Sequence, residues 1–290
     1  MILENMLLNN KIANRFGLSV FLMMVVIPFA AGLLYALLYS FGFSGVLANG
    51  FTWMHVSAVM NSAEVLRSIG FSFYVAITAI IISLAIVLPA VIAYHQSITE
   101  SKKSFIVYLP LALPAIVTAF VSFQLLGKTG LLSRLFYQLR IINDLQQFPD
   151  LINDKFGIGI IATHVLMAVP FFLIFFSNLF VSERLAALSN VAASLGANKS
   201  QVMYRMVLPV LLKRGLTTVL LYFIFVLGSY EIPLILGQQS PHMISVLIVR
   251  KIQRYNLFDI PQGYFLSCIY SLFIILLLFI FLSPKKINSL

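Results

Sequence analysis

The sequence predicts an all-α integral membrane protein: six transmembrane helices with a structured polar loop between the fourth and the fifth. Three observations carry this. Apolar residues make up 61% of the 290 and charged residues only 10%, where a soluble domain carries about a quarter charged. The apolar runs are continuous and long enough to cross a bilayer as helices, unlike the short alternating segments of an outer-membrane barrel. The polar stretch from Glu183 to Arg214 keeps helical spacing of its apolar residues, so it reads as folded. The net charge is +10. In a chain this apolar (mean hydropathy +1.00) that charge suits anionic lipid headgroups rather than nucleic acid. The single cysteine, Cys268, lies in an apolar run and reads as inert packing.

In chain order, Met1 to Phe16 is a short polar start with Lys11 and Arg15. The run Gly17 to Tyr39 is the first span, too long for a signal peptide, and Pro28 marks a kink in it. Phe41 to Ser68 mixes Gly42, Gly45, Asn49, Gly50, Trp53, His55, Glu64 and Arg67, and Trp53 suits a membrane interface. No second metal-type residue stands at ligand spacing from His55. Span two runs from Ile69 to Tyr94, followed by a polar turn, His95 to Ser104, with Lys102 and Lys103. Span three is Phe105 to Leu126, with Pro110 and Pro114 near its start. Gly127-Lys128-Thr129 looks like the end of a phosphate loop, but Ser122 stands where that motif needs glycine and no strand precedes it, so no ATP site is read here. Leu131, Leu135, Leu139 and Ile142 mark a surface helix in the long connection up to Phe156. Span four is Ile158 to Val181 and contains His164 and Pro170. Span five is Leu216 to Leu236, ending Ser229-Tyr230-Glu231-Ile232-Pro233, and span six is Tyr264 to Leu282. The spans form one domain over 17–282, flanked by tails at 1–16 and 283–290.

Within the polar loop, Leu185, Leu188, Ala192 and Leu195 recur at helical spacing and predict a short helix with one apolar stripe. Gly196 ends it by allowing a left-handed turn. Asn198 with Gln201 three residues on is a capping signal for a second short helix, which carries Val202, Met203, Met206 and Val207 and stops near Pro209. Two short helices joined by a glycine make a rigid knob.

This arrangement resembles the cytoplasmic "EAA" loop of permease subunits of type I ABC importers. Asn190, Val191 and Ala192 stand at the Glu-Ala-Ala positions, Gly196-Ala197 at the glycine, Met206 at the following apolar position, and Leu208-Pro209 closes the pattern. Asn190 departs from the family's acid and Val191 from its first alanine, which removes a charge contact but leaves the shape. The resemblance implies that the loop over 183–214 couples to a separate ATPase subunit, which holds the ATP and Mg. It also implies a second permease, the same chain or another, an external solute-binding protein, and no catalysis in this chain. The bacterial inner membrane is the implied location, with both termini cytoplasmic.

The charges are consistent with that topology. Lys11, Arg15, Lys102, Lys103, Arg184, Lys199, Arg205, Lys213, Arg214, Lys285 and Lys286 fall inside. Arg67, Lys128, Arg134, Arg140, Lys155, Arg250, Lys251 and Arg254 fall outside, mostly in long loops that count less.

Glu231, beside Tyr230 at the edge of an apolar run, is the candidate contact on the substrate path. It reads equally as a headgroup-level carboxylate or a partner of Arg250 or Arg254. Tyr230 to Gly237, with Arg250 and Asp259, looks similar to polyamine importers, and an acid would suit such a cation; Fe(III), phosphonate and thiamine importers share the layout. The alternative is a secondary transporter driven by an ion gradient, for which His164 is the intramembrane ionisable candidate. A membrane enzyme would need a nucleophile–base set, and Ser267 and Cys268 have no base beside them.

Overall fold

The computed structural model describes residues 17–46, 48, 50–100 and 105–281. The expectations on the tails 1–16 and 283–290, and on Lys11, Arg15, Asn49, Lys102, Lys103, Lys285 and Lys286, lie outside these residues. Among the described residues the chain is helical and contains no strand. Six segments are long and apolar enough to cross a membrane: Gly17–Ser40, Ala63–Tyr94, Ala115–Gln138, Ile158–Ser182, Lys199–Leu227 and Asp259–Phe281.

The helices are α1 (Gly17–Ser40), α2 (Met54–Met60), α3 (Ala63–Glu100), α4 (Phe105–Tyr108), α5 (Ala115–Leu126), α6 (Leu131–Gln138) and α7 (Ile158–Ser182). There follow α8 (Leu185–Ser194), α9 (Lys199–Leu227), α10 (Glu231–Leu236), α11 (Ile244–Gln253) and α12 (Asp259–Phe281). Several differ from expectation for identifiable reasons. α3 begins at Ala63 and stays helical to Glu100, with non-helical angles at Tyr94 where the span was read to end. The third span breaks at Leu113, whose ψ is 128°, because the residue before a proline is pushed out of the α region. The candidate membrane segment therefore begins at Ala115 rather than Phe105. The surface helix α6 stops at Gln138, short of Leu139 and Ile142.

Pro28 lies within α1 directly after a π-helical turn, Leu22–Val26, in which the Ile27 amide donates to the Leu22 carbonyl. Pro209 lies in α9 after the same kind of turn, Met203–Val207, with the Leu208 amide donating to the Met203 carbonyl. A wide turn makes room for the proline ring against the preceding carbonyl, so the helix continues through a residue that would otherwise break it. The expected stop at Pro209 is thus replaced by continuation: the second short helix is the first part of span five. That span ends earlier than expected, at Leu227, and Glu231 opens the separate helix α10.

The chain forms two compact units. One comprises the residues up to Ser62 together with Ile248–Ile275. Aromatic rings fill it: Tyr39 and Tyr264 lie 4.7 Å apart by centroid, and Tyr35 sits edge-on to both. Phe41, Phe51 and Trp53 form a second ring cluster. Cys268 is buried and donates weakly to the Leu33 carbonyl, as inert packing would. Lys251 is buried and donates to Gln262 at 2.9 Å, with Asp259 at 3.8 Å. Arg254 pairs with the same carboxylate at 3.3 Å. Asp259, not Glu231, is therefore the partner of Arg254.

The other unit comprises Ala63–Leu247 with the residues from Leu276 onward. Its centre is the long contact between α3 and α7. Ser72, Ala76, Ala79 and Ser83 are buried on α3 at helical spacing, and such small residues let two helices approach closely. The hydroxyls of Ser72, Ser83 and Thr163 each donate to the carbonyl four residues back, at 2.8, 2.7 and 2.8 Å, so they add no unmet polar group. Asp154 caps α7 by accepting from the amides of Phe156 and Ile158 at 2.9 and 3.0 Å. The Asn153 amide donates to the Leu236 carbonyl at 2.8 Å, tying α10 to the start of α7.

Candidate functional site

The helix after α7 is anchored in the bundle core by its first residue. Leu185, the first residue of α8, is fully buried. It shares a core with Val87, Leu88 and Val91 of α3, Phe172, Phe176 and Phe180 of α7, and Val207 and Leu211 of α9. Burying a leucine side chain stabilises by roughly 1.5–3 kcal/mol, and this leucine joins three membrane helices to the loop. Arg184 precedes it at φ 51°, a left-handed conformation that turns the chain sharply out of α7.

The face of α8 against the protein is Leu185, Ser189 and Ala192, and the Ser189 hydroxyl donates to the Leu185 carbonyl at 2.7 Å. The expected apolar stripe is therefore split. Leu188 and Leu195 are 48% and 82% exposed, and Val191, one helical step between them, is 57% exposed. Residues three and seven apart share a helix face, so these three form an outward apolar patch. Tyr204 on α9 is also exposed. The periodic stripe read from the sequence left out Val191 and Tyr204; the signal for Val191 lay in there being more apolar positions on α8 than one face can bury.

The end of α8 is a Schellman turn. The Gly196 amide donates to the Ala193 carbonyl at 3.0 Å and the Ala197 amide to the Ala192 carbonyl at 3.1 Å, with Gly196 at φ +92°. A Cβ at Gly196 would meet nothing within 4 Å, so backbone conformation alone demands the glycine. Asn198 and Gln201 then close a reciprocal capping box, at 2.8 Å from the Gln201 amide to Asn198 and 3.0 Å from the Asn198 amide to Gln201. Two adjacent helix ends are thus capped, which restrains the turn between them.

Of the residues singled out from sequence, Met206 and Leu208 pack against the shared core. Ala192 and Ala197 are half-buried, and Asn190, Gly196 and Pro209 are exposed. The exposed cations are Arg184, Lys199, Arg205, Lys213 and Arg214. Glu183 is the segment's only acid, so the exposed charge of this segment is predominantly basic. Tyr230 is half-buried before α10, and Glu231 is exposed as its first residue. α10 packs on α5 and α7, placing these two at the Ile158 end of the bundle. That end is separated from the α8 segment by the length of α7, about 37 Å for 25 residues. His164 is fully buried within α7. His55 is buried in α2, and no group of three metal-ligating side chains forms among the described residues.

A family model described as "Binding-protein-dependent transport system inner membrane component" matches residues 90–284. No curated protein matches the sequence. Among solved structures, the chain is similar to one in the crystal structure of a bacterial alginate ABC transporter in complex with alginate pentasaccharide-bound periplasmic protein. The identity is 18% over 98% of this chain and 95% of that one, with a TM-score of 0.65. It is also similar to a chain of a bacterial ABC transporter involved in the import of the acidic polysaccharide alginate. There the identity is 21% over 95% and 92% of the two chains, with a TM-score of 0.61.

Proposed function

Because the chain belongs to the family of binding-protein-dependent transport system inner membrane components, we propose that it is a translocation subunit of an ATP-driven importer. In this reading it pairs with a second permease in the bacterial inner membrane, receives its solute from an external binding protein, and performs no catalysis itself. ATP and Mg reside in a separate ATPase subunit. The α8 segment faces the cytoplasm with both termini, in line with the basic residues on that side. The ion-gradient alternative gives way to the family assignment.

The observation that carries the coupling role is the union of a buried anchor and an exposed patch. Leu185 fixes α8 to α3, α7 and α9, while Leu188, Val191 and Leu195 present apolar surface outward. A push on that patch is transmitted to three membrane helices because packed cores shift as bodies rather than deform. Asn190, Ala192, Gly196, Ala197, Met206, Leu208 and Pro209 shape this element. The expectation of a polyamine-like cation rests on the likeness of Tyr230 to Gly237, with Arg250 and Asp259, to polyamine importers and on the acid Glu231 beside Tyr230. Neither solved relative supports it, since both come from importers of alginate.

Leu188→Glu and Leu195→Glu test the reading. Each should abolish co-purification of the ATPase subunit and solute uptake while leaving membrane insertion and the amount of permease unchanged. Undiminished ATPase capture by both variants would remove the patch from the account.

A further inference from the structure

At the other end of the bundle the chain folds back between α5 and α6. The turn is tight: a Cβ at Gly130 would lie 2.6 Å from the Gln124 carbonyl oxygen and 2.8 Å from that of Gly127, so only glycine fits. Between the two helices lies a groove of about 740 Å³, a size typical of sites for small organic solutes. Its lining combines Phe120 and other apolar residues with Gln124, Thr129, Arg134 and Gln138. The lining contains no carboxylate.

Arg134 is held in place, because its Nε–H donates to the Thr129 carbonyl at 3.1 Å. It makes no ion pair among the described residues. The other cation of the turn is already neutralised: Lys128 lies 2.9 Å from Asp150, in the adjoining cleft of about 210 Å³. The groove thus offers one oriented guanidinium with its outer edge available, two carboxamides, a hydroxyl and an aromatic ring. A planar guanidinium matches a carboxylate bidentately. Carboxamides and a hydroxyl match sugar hydroxyls. A single positive charge balances one carboxylate of such a solute. A polyamine would meet a cation and no acid.

We propose that this groove is the part of the solute path that reads an acidic, hydroxyl-rich solute of the uronate type, with Arg134 as the residue that determines specificity for the carboxylate. The proposal rests on the importer reading above. The test uses the complete transporter, with its ATPase, second permease and binding protein, in proteoliposomes. The probes are labelled tri-galacturonate, maltotriose and spermidine. The wild type should take up tri-galacturonate in preference to the other two. Arg134→Gln should raise KM for it about 10-fold or more, the usual scale of a lost charge-assisted bond, with kcat and ATPase co-purification retained. Arg134→Lys should recover part of the loss. In a Gln138→Cys variant, tri-galacturonate should protect the introduced thiol from maleimide. Preference for maltotriose or spermidine, or an unaltered KM in Arg134→Gln, overturns the proposal. So does a thiol in the Gln138→Cys variant that maleimide fails to reach even without solute, which would assign the groove to contact with the second permease. Uptake by the wild type that needs no ATP would instead overturn the importer reading itself.

Discussion

Glu183 and Arg214 lie 3.5 Å apart, so the middle of α9 passes beside the point where the chain leaves α7. Both side chains are substantially exposed, at 33% and 49%. Exposed pairs contribute about 0–1 kcal/mol and weaken with salt. The pair marks where the segment closes without holding it shut. Glu183→Gln should therefore lower the melting temperature of the purified permease only marginally and leave ATP-dependent uptake within about twofold of wild type. A collapse of uptake in that variant would show that the ion pair, and not the core, carries the load.

Leu185→Ala should do what Glu183→Gln does not. The side chain sits among residues of α3, α7 and α9, and its removal leaves a cavity that those helices fill incompletely. The expected loss is about 2–5 kcal/mol in local stability. The readout that separates coupling from folding is ATP hydrolysis by the assembled complex. On the proposed coupling role it should persist while uptake falls, because the patch of Leu188, Val191 and Leu195 would still dock but no longer move the bundle. Parallel loss of ATPase capture would mean that the anchor serves only to fold α8.

Gly196 is constrained by its φ of +92° and not by its neighbours. Gly196→Val should cost well over ~1 kcal/mol and abolish transport with insertion intact. Gly196→Asn should be milder, because asparagine tolerates left-handed backbone better than a β-branched residue. Uptake in membrane vesicles measures both, and equal activity of valine and glycine at this position would remove the turn from the coupling element.

Much of this element was legible in the sequence, and the reason is local. Gly196, Asn198 and Gln201 act within a few residues of themselves, so their spacing alone specifies the Schellman turn and the capping box. Ile158 to Val181 was legible as span four because a long, predominantly apolar run without Asp, Glu, Lys or Arg, bounded by Gly157 and Glu183, has one reading. The misses required knowledge of distant partners. Pro209 stops a regular α-helix but not one carrying the π turn at Met203–Val207, and that turn leaves no mark in composition. Leu188 and Leu195 look like core by period. They are surface because Leu185, Ser189 and Ala192 claim the inner face. Arg134 sat in a list of loop charges, and its distinction from Lys128 is that Asp150, over twenty residues away in sequence, neutralises the latter.

Gly215 and Phe176 set how closely α9 approaches α7. A Cβ at Gly215 would fall 2.5 Å from the Phe176 ring, inside any tolerated contact, and Phe176 is itself fully buried. Gly215→Ala should destabilise by about 1–3 kcal/mol through overpacking. Phe176→Leu in the same chain should return part of that loss, since a smaller side chain makes the room. A double-mutant cycle on thermal unfolding measures the coupling. Strictly additive losses would show that the two residues do not share the contact.

His55 supplies a pH dependence whose sign follows from burial. Its pKa is lowered from the ordinary 6.5 by desolvation of the ring, so the folded chain favours the neutral imidazole. Above pH 6.5 neither the folded nor the unfolded state holds the proton, and the stability of this unit is fully present. As pH falls below 6.5 the unfolded chain takes up the proton first, and stability is lost progressively through the lower folded-state value. Trp53 precedes the same short helix, α2, and is the only tryptophan in the chain, so its emission reports this region without labelling. Lowering the pH of the wild type from 7.5 to 5 should shift Trp53 emission and reduce the denaturant needed for unfolding. His55→Gln should flatten both responses over that interval. An acid response that survives the substitution would place the titrating group elsewhere.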